Sequence, residues 1–578
     1  MSQSSDSIRL VASIEGTTFV HAFAQQWGLF AVALAATSLF ALLASKWVRA
    51  IERAGLRLAR RRGAAVLVVG VLALAGRALI LPVLPIPNPR ASDEFSYLLA
   101  ADTFGSGRVA NPTHPMWVHF ETIHVNQQPT YGSMYPPAPG LVMGLAQAAT
   151  GEPWIGVWLS VGLACAAICW MLQGWLPPGW ALLGGLIAVM RFALFSYWMN
   201  SYMGGAIPAI GGALLLGALP RILRQPRPRH ATLMALGVVI LANSRPFEGL
   251  VLAVAVAGIL VFWILRKSSL GLGVLLPRLV LPAALVLAVG AGATGYYFWR
   301  TTGSPLRMPY QENLAHYYPS AVFLWQPEGP RLQYRHKVLD YFYNHWQRGL
   351  QPRTLTGIAS LTWKKLRVIA NFYFSKPLLL AMLGFPWVIA NRRLRPLLIV
   401  LCAGMAGMGM TIWFLPHYAA PFTAAFLAVA LQSLRHLRLW RPHGLRSGLL
   451  LARSVPLLCG VTLLACATMG LDRGPVNGDT FLCRRGTGNA DRRRVEQQLE
   501  ALPGRHLVIV RYGPRHSVHQ EWVNNHADID ASKVVWAREM DPASDAQLVG
   551  YFRDRKTWLL ELDDPLVRLS PYSEAPKP

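Results

Sequence analysis

Apolar residues along this chain fall into long runs that are separated by short polar connections. A helix that crosses a bilayer needs about 20 mostly apolar residues to span roughly 30 Å of hydrocarbon. Runs of this kind recur between residues 27 and 469, so the pattern predicts an all-α polytopic membrane protein with about twelve transmembrane helices. The predicted helices are 27–48, 64–86, 154–172, 180–198, 203–219, 231–243, 249–265, 279–297, 377–390, 396–414, 420–434 and 448–469.

The pattern changes after residue 470, where the long apolar runs stop. Segments 506–511, 533–539 and 556–562 are short and apolar, as is typical of buried strands, and 545–553 is predicted as a helix. Strands that alternate with a helix predict a small soluble α/β domain at the C-terminal end. The expected domains are an extra N-terminal helix with a basic cytoplasmic loop (1–63), a transmembrane domain with external loops 89–135 and 300–376 (64–470), and the soluble extracytoplasmic domain (471–578).

Composition and charge support the membrane assignment and exclude a nucleic-acid partner. Hydrophobic residues make up 53% of the chain and charged residues only 14%, against about 25% in soluble domains. Much of the net charge of +27 lies in five short connections that hold 21 basic residues and one acidic residue, Glu52. Because short loops rich in Lys and Arg stay in the cytoplasm, these connections are predicted inside, next to anionic membrane lipids. The five connections are 46–62, 221–229, 266–278, 392–395 and 435–446.

The other connections then fall on the opposite face, and the N-terminus is predicted outside as well. Within the long external loop, 355–374 mixes aromatic and aliphatic residues with three cations, which is typical of a helix lying in the interface, although a solvated helix is an equal alternative. Five of the six cysteines lie in apolar runs and only Cys483 in a polar region, so no disulfide framework is expected. The predicted external segments are 89–135, 200–202, 243–248, 300–376, 416–421 and everything after 470.

Two adjacent carboxylates, Asp93 and Glu94, follow the second predicted helix and therefore lie close to the outer membrane surface. Neighbouring carboxylates can ionise at different pH values, so that one acts as a base while the other orients it or binds a metal. Acidic residues also favour the first turn of a helix. On the sequence alone the two interpretations are equally supported.

The same loop carries three histidines and a carboxylate within eleven residues, namely His114, His119, Glu121 and His124. Imidazole and carboxylate groups can ligate a divalent metal, and imidazoles can also hold phosphate. The spacing matches no closed zinc site, and loop histidines more commonly bond to the backbone. A divalent metal is thus the single cofactor that the sequence suggests.

Cationic and aromatic residues stand at other external helix ends. Arg245 can make a forked contact with a phosphate, and His417 with Tyr418 can add hydrogen-bond donors. Anchoring at the membrane interface is the alternative role for all three. Arg77 and Arg191 lie inside apolar runs, where an unpaired charge is costly, so each is expected to face a polar cavity or to pair with a carboxylate.

Three motifs follow one another in a characteristic order. A short spanning helix precedes an external loop that opens with Asp93-Glu94, and Tyr135-Pro136-Pro137 opens the next helix. This order resembles the GT-C superfamily of membrane glycosyltransferases, in particular the branch of the protein O-mannosyltransferases and the lipid A aminoarabinose transferase, over residues 64–469. The extra N-terminal helix and the soluble tail depart from the pattern of that branch and leave the acceptor open.

The resemblance implies a glycosyltransferase of the bacterial inner membrane that moves a sugar from a polyprenyl phosphate to a glycan, lipid or protein acceptor on the extracytoplasmic face. It implies that Asp93 is the general base, with Glu94 beside it, and that His417-Tyr418 approach the lipid phosphate. The expected site residues are Asp93 and Glu94 for catalysis, Arg245, His417, Tyr418 and Arg77 for the donor phosphate, and Tyr97, Tyr135 and Glu248 for substrate binding.

Two other functions remain open at this point. About twelve helices also suit a secondary transporter or flippase of a lipid-linked or small anionic substrate, although the chain has no two related halves and its polar residues crowd one face. A ligase or polymerase of undecaprenyl-linked glycans would instead use the late external loop, where Arg331, Arg335 and His336 are the candidates.

Overall fold

Each of the twelve predicted runs contains a helix in the computed structural model, which describes residues 27–267, 270–318, 320–468 and 488–572. The helices of the first half are α1 (Trp27–Leu43), α2 (Ser45–Arg60), α3 (Arg62–Leu79), α4 (Ser92–Gly105), α5 (Pro137–Thr150), α6 (Trp154–Trp175), α7 (Pro178–Phe192), α8 (Ala206–Arg224), α9 (Pro228–Ala242) and α10 (Pro246–Lys267). Those that follow are α11 (Leu272–Thr302), α12 (Pro309–Tyr317), α13 (Lys337–Asp340), α14 (Leu355–Ala390), α15 (Arg395–Met410), α16 (Thr423–Leu437), α17 (Ser447–Thr468), α18 (Ala490–Ala501) and α19 (Pro542–Tyr551).

Within the described ranges, seven helices are long and apolar enough to cross a membrane, or eight if the bent pair α1–α2 counts as one span. Three further apolar helices, α7, α9 and α15, are shorter than a full span. The chain is therefore a polytopic integral membrane protein, and the number of twelve spans stays a prediction.

One local prediction is wrong. The basic segment 46–62 is not a loop, because Lys and Arg are good helix formers and their spacing places them on one side of α2, which turns by 84° from α1. The predicted interfacial segment 355–374 is helical and is followed directly by the predicted span 377–390. The two join through a π-helical turn, Ala370–Phe374, into the single stretch α14, and the ammonium group of Lys365 donates to the carbonyl of Met408 at 2.9 Å.

The core of the membrane part lies around α16, where every residue from Thr423 to Leu434 is buried. A helix that is apolar on all sides is one that other helices surround. Glycines permit the close approaches, since a Cβ atom on Gly212 of α8 would overlap the carbonyl of Pro421, and one on Gly384 of α14 would overlap that of Ser433.

The first external loop consists of α4, three short antiparallel strands and the start of α5. The strands are β1 (Asn111–Pro112), β2 (Val125–Asn126) and β3 (Thr130–Ser133), in the order β1-β3-β2. Helix α4 packs closely against α5, because a Cβ atom on Gly144 would lie only 2.6 Å from the carbonyl oxygen of Ala101. This packing fixes the C-terminal half of α4, whose N-terminal end carries Asp93.

The C-terminal unit has the three predicted strands and the predicted helix. Its strands are β4 (Arg505–Tyr512), β5 (Val534–Arg538), β6 (Arg555–Asp563) and β7 (Leu566–Pro571), in the order β5-β4-β6-β7. Strand β4 pairs in parallel with β5 and β6, whereas β7 is antiparallel to β6. Helix α18 and strand β7 were not predicted, because half of the residues of α18 are charged and β7 mixes half-buried with exposed residues.

The segments predicted to be external lie together at one end of the molecule. The amide of Tyr202 donates to Glu94 at 3.0 Å, and the amide of Asn489 donates to the carbonyl of Pro89 at 3.2 Å. Cys466, in the last turn of α17, is disulfide-bonded, whereas Cys165, Cys169, Cys402 and Cys459 are free. Residues 1–26 and Cys483, on which two predictions rest, lie outside the described residues.

Candidate active site

The carboxylate of Asp93 lies in the first turn of α4 and remains partly open, with 27% of its side chain exposed. The hydroxyl of Tyr135 donates a hydrogen bond to its Oδ1 atom, and Nδ1 of His124 lies 3.7 Å from its Oδ2 atom. The ring of Tyr135 stacks on that of Tyr97 at 4.5 Å. Asp93 is thus a fixed but accessible acid at one end of the helix bundle.

The backbone of His124 holds its imidazole beside Asp93. His124 has a φ of 65°, in the left-handed region that non-glycine residues rarely adopt. Its carbonyl accepts hydrogen bonds from the hydroxyl of Ser96 at 2.7 Å and the amide of Met134 at 3.3 Å, which over-determine this conformation. Unfavourable backbone conformations of this kind are concentrated at functional sites.

Glu94 points away from Asp93, so the structure does not pair the two carboxylates. Glu94 is fully buried. Its Oε1 atom accepts from the amides of Arg90 and Ala91 at 3.4 Å, and its Oε2 atom accepts from the amide of Tyr202. Glu94 therefore stabilises the start of α4. The two carboxylates point in different directions because successive helical side chains are about 100° apart.

Arg245 lies between α9 and α10 and faces a group of tyrosines. Its guanidinium carbon is 4.2 Å from the ring centre of Tyr418. Burial lowers the pKa of Arg245, but Tyr97, Tyr418 and Glu248 together outweigh that effect and raise the pKa above its ordinary value. The guanidinium is therefore charged at every physiological pH.

Three tyrosine hydroxyls connect the acid to the arginine. Tyr97, Tyr135 and Tyr418 each interact electrostatically with both Asp93 and Arg245. Burial raises the pKa of all three phenols, so they stay protonated and can donate hydrogen bonds. The hydroxyl of Tyr135 is bonded to the carboxylate and the ring of Tyr418 lies against the guanidinium, so neutral phenols border both charged groups.

His417 is buried beside this group and acts as a neutral ring. Its Nδ1 atom lies 3.0 Å from the hydroxyl of Tyr197. Burial lowers the pKa of His417 well below its ordinary value, and Arg245 lowers it further. The neutral ring can donate the hydrogen bond that was expected of it, but it carries no charge.

The side chain of Arg77 is buried and is bonded to the main chain. Its guanidinium donates to the carbonyls of Leu84 at 2.8 Å and Pro85 at 3.1 Å, and it lies 4.8 Å from the ring centre of Trp154. Arg191 donates to the hydroxyl of Ser375 and to main-chain carbonyls of the π-helical turn in α14. Neither arginine takes the carboxylate partner that the sequence allowed, and Arg77 holds the end of α3.

The four potential metal ligands of the first loop point in different directions. His114 lies 3.2 Å from Asp530, and His119 lies 3.2 Å from the carbonyl of Arg538, both in the C-terminal unit. Among the residues that the structure describes, no group of three His, Cys, Asp or Glu side chains could hold a metal ion. The predicted ligand set does not form, because a 3₁₀ turn, Trp117–Phe120, and the left-handed residue His124 send the side chains apart.

The residues considered for a late-loop enzyme pack against the first loop instead. Glu121 accepts from the hydroxyl of Tyr317 at 2.9 Å and lies 3.4 Å from Arg335 and 3.5 Å from His336. His336 also lies 2.8 Å from the carbonyl of Val118. Arg331 is exposed. Arg335 and His336 therefore fix the two external loops to each other.

Sequence reasoning missed Tyr310, at the start of α12. Its side chain is half-buried and interacts electrostatically with Tyr418, Arg245 and Asp93. The proline at its N-terminal side, Pro309, marks a helix start in the sequence, but no pattern in that loop connects it to a site 200 residues earlier.

The chain was compared with family models, curated proteins and solved structures. No family model and no curated protein matches it. ArnT from Cupriavidus metallidurans bound to undecaprenyl phosphate superimposes on 86% of this chain and 93% of its own, with a TM-score of 0.50 and 15% sequence identity. The same enzyme in the apo state gives 0.47 and 14% over the same shares. The oligosaccharyltransferase AglB from Archaeoglobus fulgidus, in complex with an inhibitory peptide and a dolichol-phosphate, covers 86% of this chain and 69% of its own at 0.42 and 12%.

ArnT, the lipid A aminoarabinose transferase, and AglB are both GT-C enzymes. The chain shares the fold of the GT-C membrane glycosyltransferases, as the order of its motifs predicted. At 15% identity the likeness to ArnT is one of fold.

Proposed function

We propose that this protein is a glycosyltransferase that moves a sugar from a polyprenyl phosphate to an acceptor on the extracytoplasmic face. The observation that carries the proposal is the arrangement of Asp93 and Arg245, an open carboxylate and a charged guanidinium on either side of neutral tyrosines. ArnT, which has the same fold, was solved with undecaprenyl phosphate.

Asp93 removes the proton from the attacking group. An acceptor hydroxyl that attacks the anomeric carbon forms the new C–O bond and loses its proton to the carboxylate, while the bond from that carbon to the phosphate oxygen breaks. A positioned base accelerates such a step by about 10²- to 10⁴-fold. The hydrogen bond from Tyr135 and the adjacent ring of His124 hold the carboxylate in place for this step.

Arg245 stabilises the departing phosphate. The leaving polyprenyl phosphate takes the electron pair of the broken bond, and donors already aimed at that growing charge lower the barrier. A guanidinium suits this role because its planar fork matches two phosphate oxygens. Tyr418 and the neutral His417 add hydrogen-bond donors at the same end.

We infer that this end of the molecule is extracytoplasmic. Two observations support this orientation. The basic helix α2 lies near the basic connection 435–446 at the start of α17, because Arg453 of α17 donates a pair of 2.9 Å hydrogen bonds to Glu52 of α2, and basic connections stay in the cytoplasm. Cys466 is disulfide-bonded at the far end of α17, and disulfides persist in oxidising compartments.

The test is sugar transfer by the purified full chain in nanodiscs, with a panel of undecaprenyl phosphate-linked sugars and a mixed acceptor extract. Wild type is expected to consume one of the donors, and Asp93→Asn is expected to lose at least about 100-fold in rate with an unchanged melting temperature. Asp340→Asn, in the late external loop, is the matched control and should behave as wild type. Equal transfer by Asp93→Asn and wild type would contradict the proposal.

A further inference from the structure

A row of four aromatic side chains leads from Asp93 to the outside of the protein. We call Phe342, Trp346, Trp413 and His519 the aromatic wall. The ring centres of Phe342 and Trp346 are 5.1 Å apart, those of Trp346 and Trp413 5.4 Å, and those of Trp346 and His519 4.6 Å. The four residues come from three separate parts of the chain, which the fold brings together.

The inner end of the aromatic wall adjoins the proposed base. The ring centre of His124, whose Nδ1 atom is 3.7 Å from Asp93, lies 5.8 Å from that of Phe342. Phe342 is buried, Trp346 is half-buried and His519 is exposed. The wall therefore begins beside the carboxylate and becomes steadily more open to water.

The wall combines aromatic rings with polar groups. Phe342 and Trp346 lie on a π-helical turn, Tyr341–Gln347, a conformation that is rare and frequent at functional sites. The indole N–H of Trp413 donates to the hydroxyl of Tyr318, and His519 presents an imidazole edge at the open end. Flat apolar faces with polar edges suit a pyranose ring, which offers C–H groups on its face and hydroxyls around its rim.

The C-terminal unit is held firmly enough to keep His519 in this position. Nε of Arg538 donates to the carbonyl of Glu121 at 2.5 Å, and the hydroxyl of Tyr131 donates to the carbonyl of Asn525 at 3.1 Å. Both contacts join the unit to the first external loop, which also carries Asp93. The unit and the proposed base thus share one rigid support.

We propose that the aromatic wall is the acceptor subsite and that the acceptor is a carbohydrate. A sugar ring stacked on Trp346 and Trp413 presents a hydroxyl toward Asp93, and the C-terminal unit contributes His519 to acceptor recognition. This inference rests on the glycosyl transfer proposed above and names the acceptor class of that same site.

The experiment measures transfer of a radiolabelled sugar from the active undecaprenyl phosphate donor to three acceptors. These are delipidated core oligosaccharide of lipopolysaccharide, a peptide rich in Ser and Thr, and phosphatidylethanolamine vesicles. We expect labelled oligosaccharide as the product. Trp346→Ala and His519→Ala are expected to raise the KM for the oligosaccharide about fivefold to tenfold, with kcat and the donor KM within about twofold of wild type.

Two controls lie on the same loop but outside the wall. Trp325, which is 63% exposed, and His345, beside Trp346 but 52% exposed, are to be changed to alanine. Both variants should keep the acceptor KM of wild type, and Trp346→Phe should recover most of the loss in Trp346→Ala, which distinguishes stacking from folding.

Transfer only to the peptide or the lipid, or equal acceptor KM in the wall variants and the controls, would overturn the acceptor assignment while leaving glycosyl transfer intact. No donor turnover by wild type with any acceptor would overturn the proposed function itself, and this inference with it.

Discussion

Replacing Arg245 by glutamine isolates the contribution of the guanidinium to phosphate binding. A hydrogen bond to a charged group contributes about 1.5–3 kcal/mol, and each 1.36 kcal/mol corresponds to about tenfold in rate. Arg245→Gln is therefore expected to lower kcat/KM for the undecaprenyl phosphate sugar roughly 10- to 150-fold. Arg245→Lys, which keeps the charge but loses the fork, should fall between that variant and wild type.

The same substitution has a cost for folding that must be separated from catalysis. Glu248 is only 7% exposed and interacts electrostatically with Arg245. Removing the cation leaves that carboxylate without its nearby positive charge, at a cost of up to about 3 kcal/mol in the free energy of unfolding. The double variant Arg245→Gln/Glu248→Gln should regain the melting temperature but not the activity.

The assay is the initial rate of sugar transfer at several donor concentrations, together with thermal unfolding in the same detergent. Arg300→Gln is a matched control, because Arg300 is exposed at the end of α11 and contacts only the hydroxyl of Tyr296, at 3.2 Å, among the hydrogen-bond partners that the structure gives. Full kcat/KM in Arg245→Gln would refute the role of the guanidinium. Recovery of both stability and activity in the double variant would assign Arg245 to folding alone.

Two further predictions concern residues outside the reacting groups. Glu94→Gln should lower stability by about 1–3 kcal/mol, because the amide of Tyr202 loses a charged acceptor, while the folded fraction keeps its turnover; a normal melting temperature with lost turnover would contradict this. The hydrogen bond to Asp102 raises the pKa of His526, so this contact is fully formed below about pH 6.5 and is lost as the pH rises through the raised value. The amide of Ala527 donates to Asp102 at 2.7 Å, so its hydrogen-exchange rate reports on this contact. In wild type that rate should rise with pH by more than the intrinsic pH dependence of exchange, whereas in His526→Ala it should follow the intrinsic dependence alone.

The helices were predictable because the bilayer imposes a length and an apolar composition that a single sequence displays directly. Every predicted run contains a helix. The first three strands of the C-terminal unit were predicted in a similar way, from apolar segments too short to be spanning helices. Helix α2 was not predicted, because the many charged residues of 46–62 were interpreted as a loop. A basic amphipathic helix with Trp47 and Ile51 on its exposed apolar side satisfies the same charge rule.

The site was predictable residue by residue only where a side chain projects from a helix end that the topology fixes. Asp93, Arg245 and Tyr418 share an electrostatic neighbourhood, as the external location of their segments suggested. The direction of a side chain was not predictable: Glu94, next to Asp93, turns inward and caps a helix, and Arg77 binds carbonyls. These outcomes depend on packing partners far away in sequence.

Contacts between the external segments were likewise beyond the sequence. The loop histidines look like a ligand set when they are read in order, yet His114 and His119 face the C-terminal unit. His519, which lies in that unit, is near the proposed base because the C-terminal unit packs against the first loop. No pattern in the sequence predicts that packing.

The central claim is that a lipid-linked phosphate binds between Asp93 and Arg245. The most direct measurement is a cryo-electron microscopy structure of Asp93→Asn in nanodiscs with a bound undecaprenyl phosphate sugar. We expect phosphate oxygens about 3 Å from the Arg245 guanidinium, with the anomeric carbon turned toward the substituted position. A phosphate bound elsewhere, for example against the basic face of α2, with the space between residues 93 and 245 closed to the lipid, would contradict it.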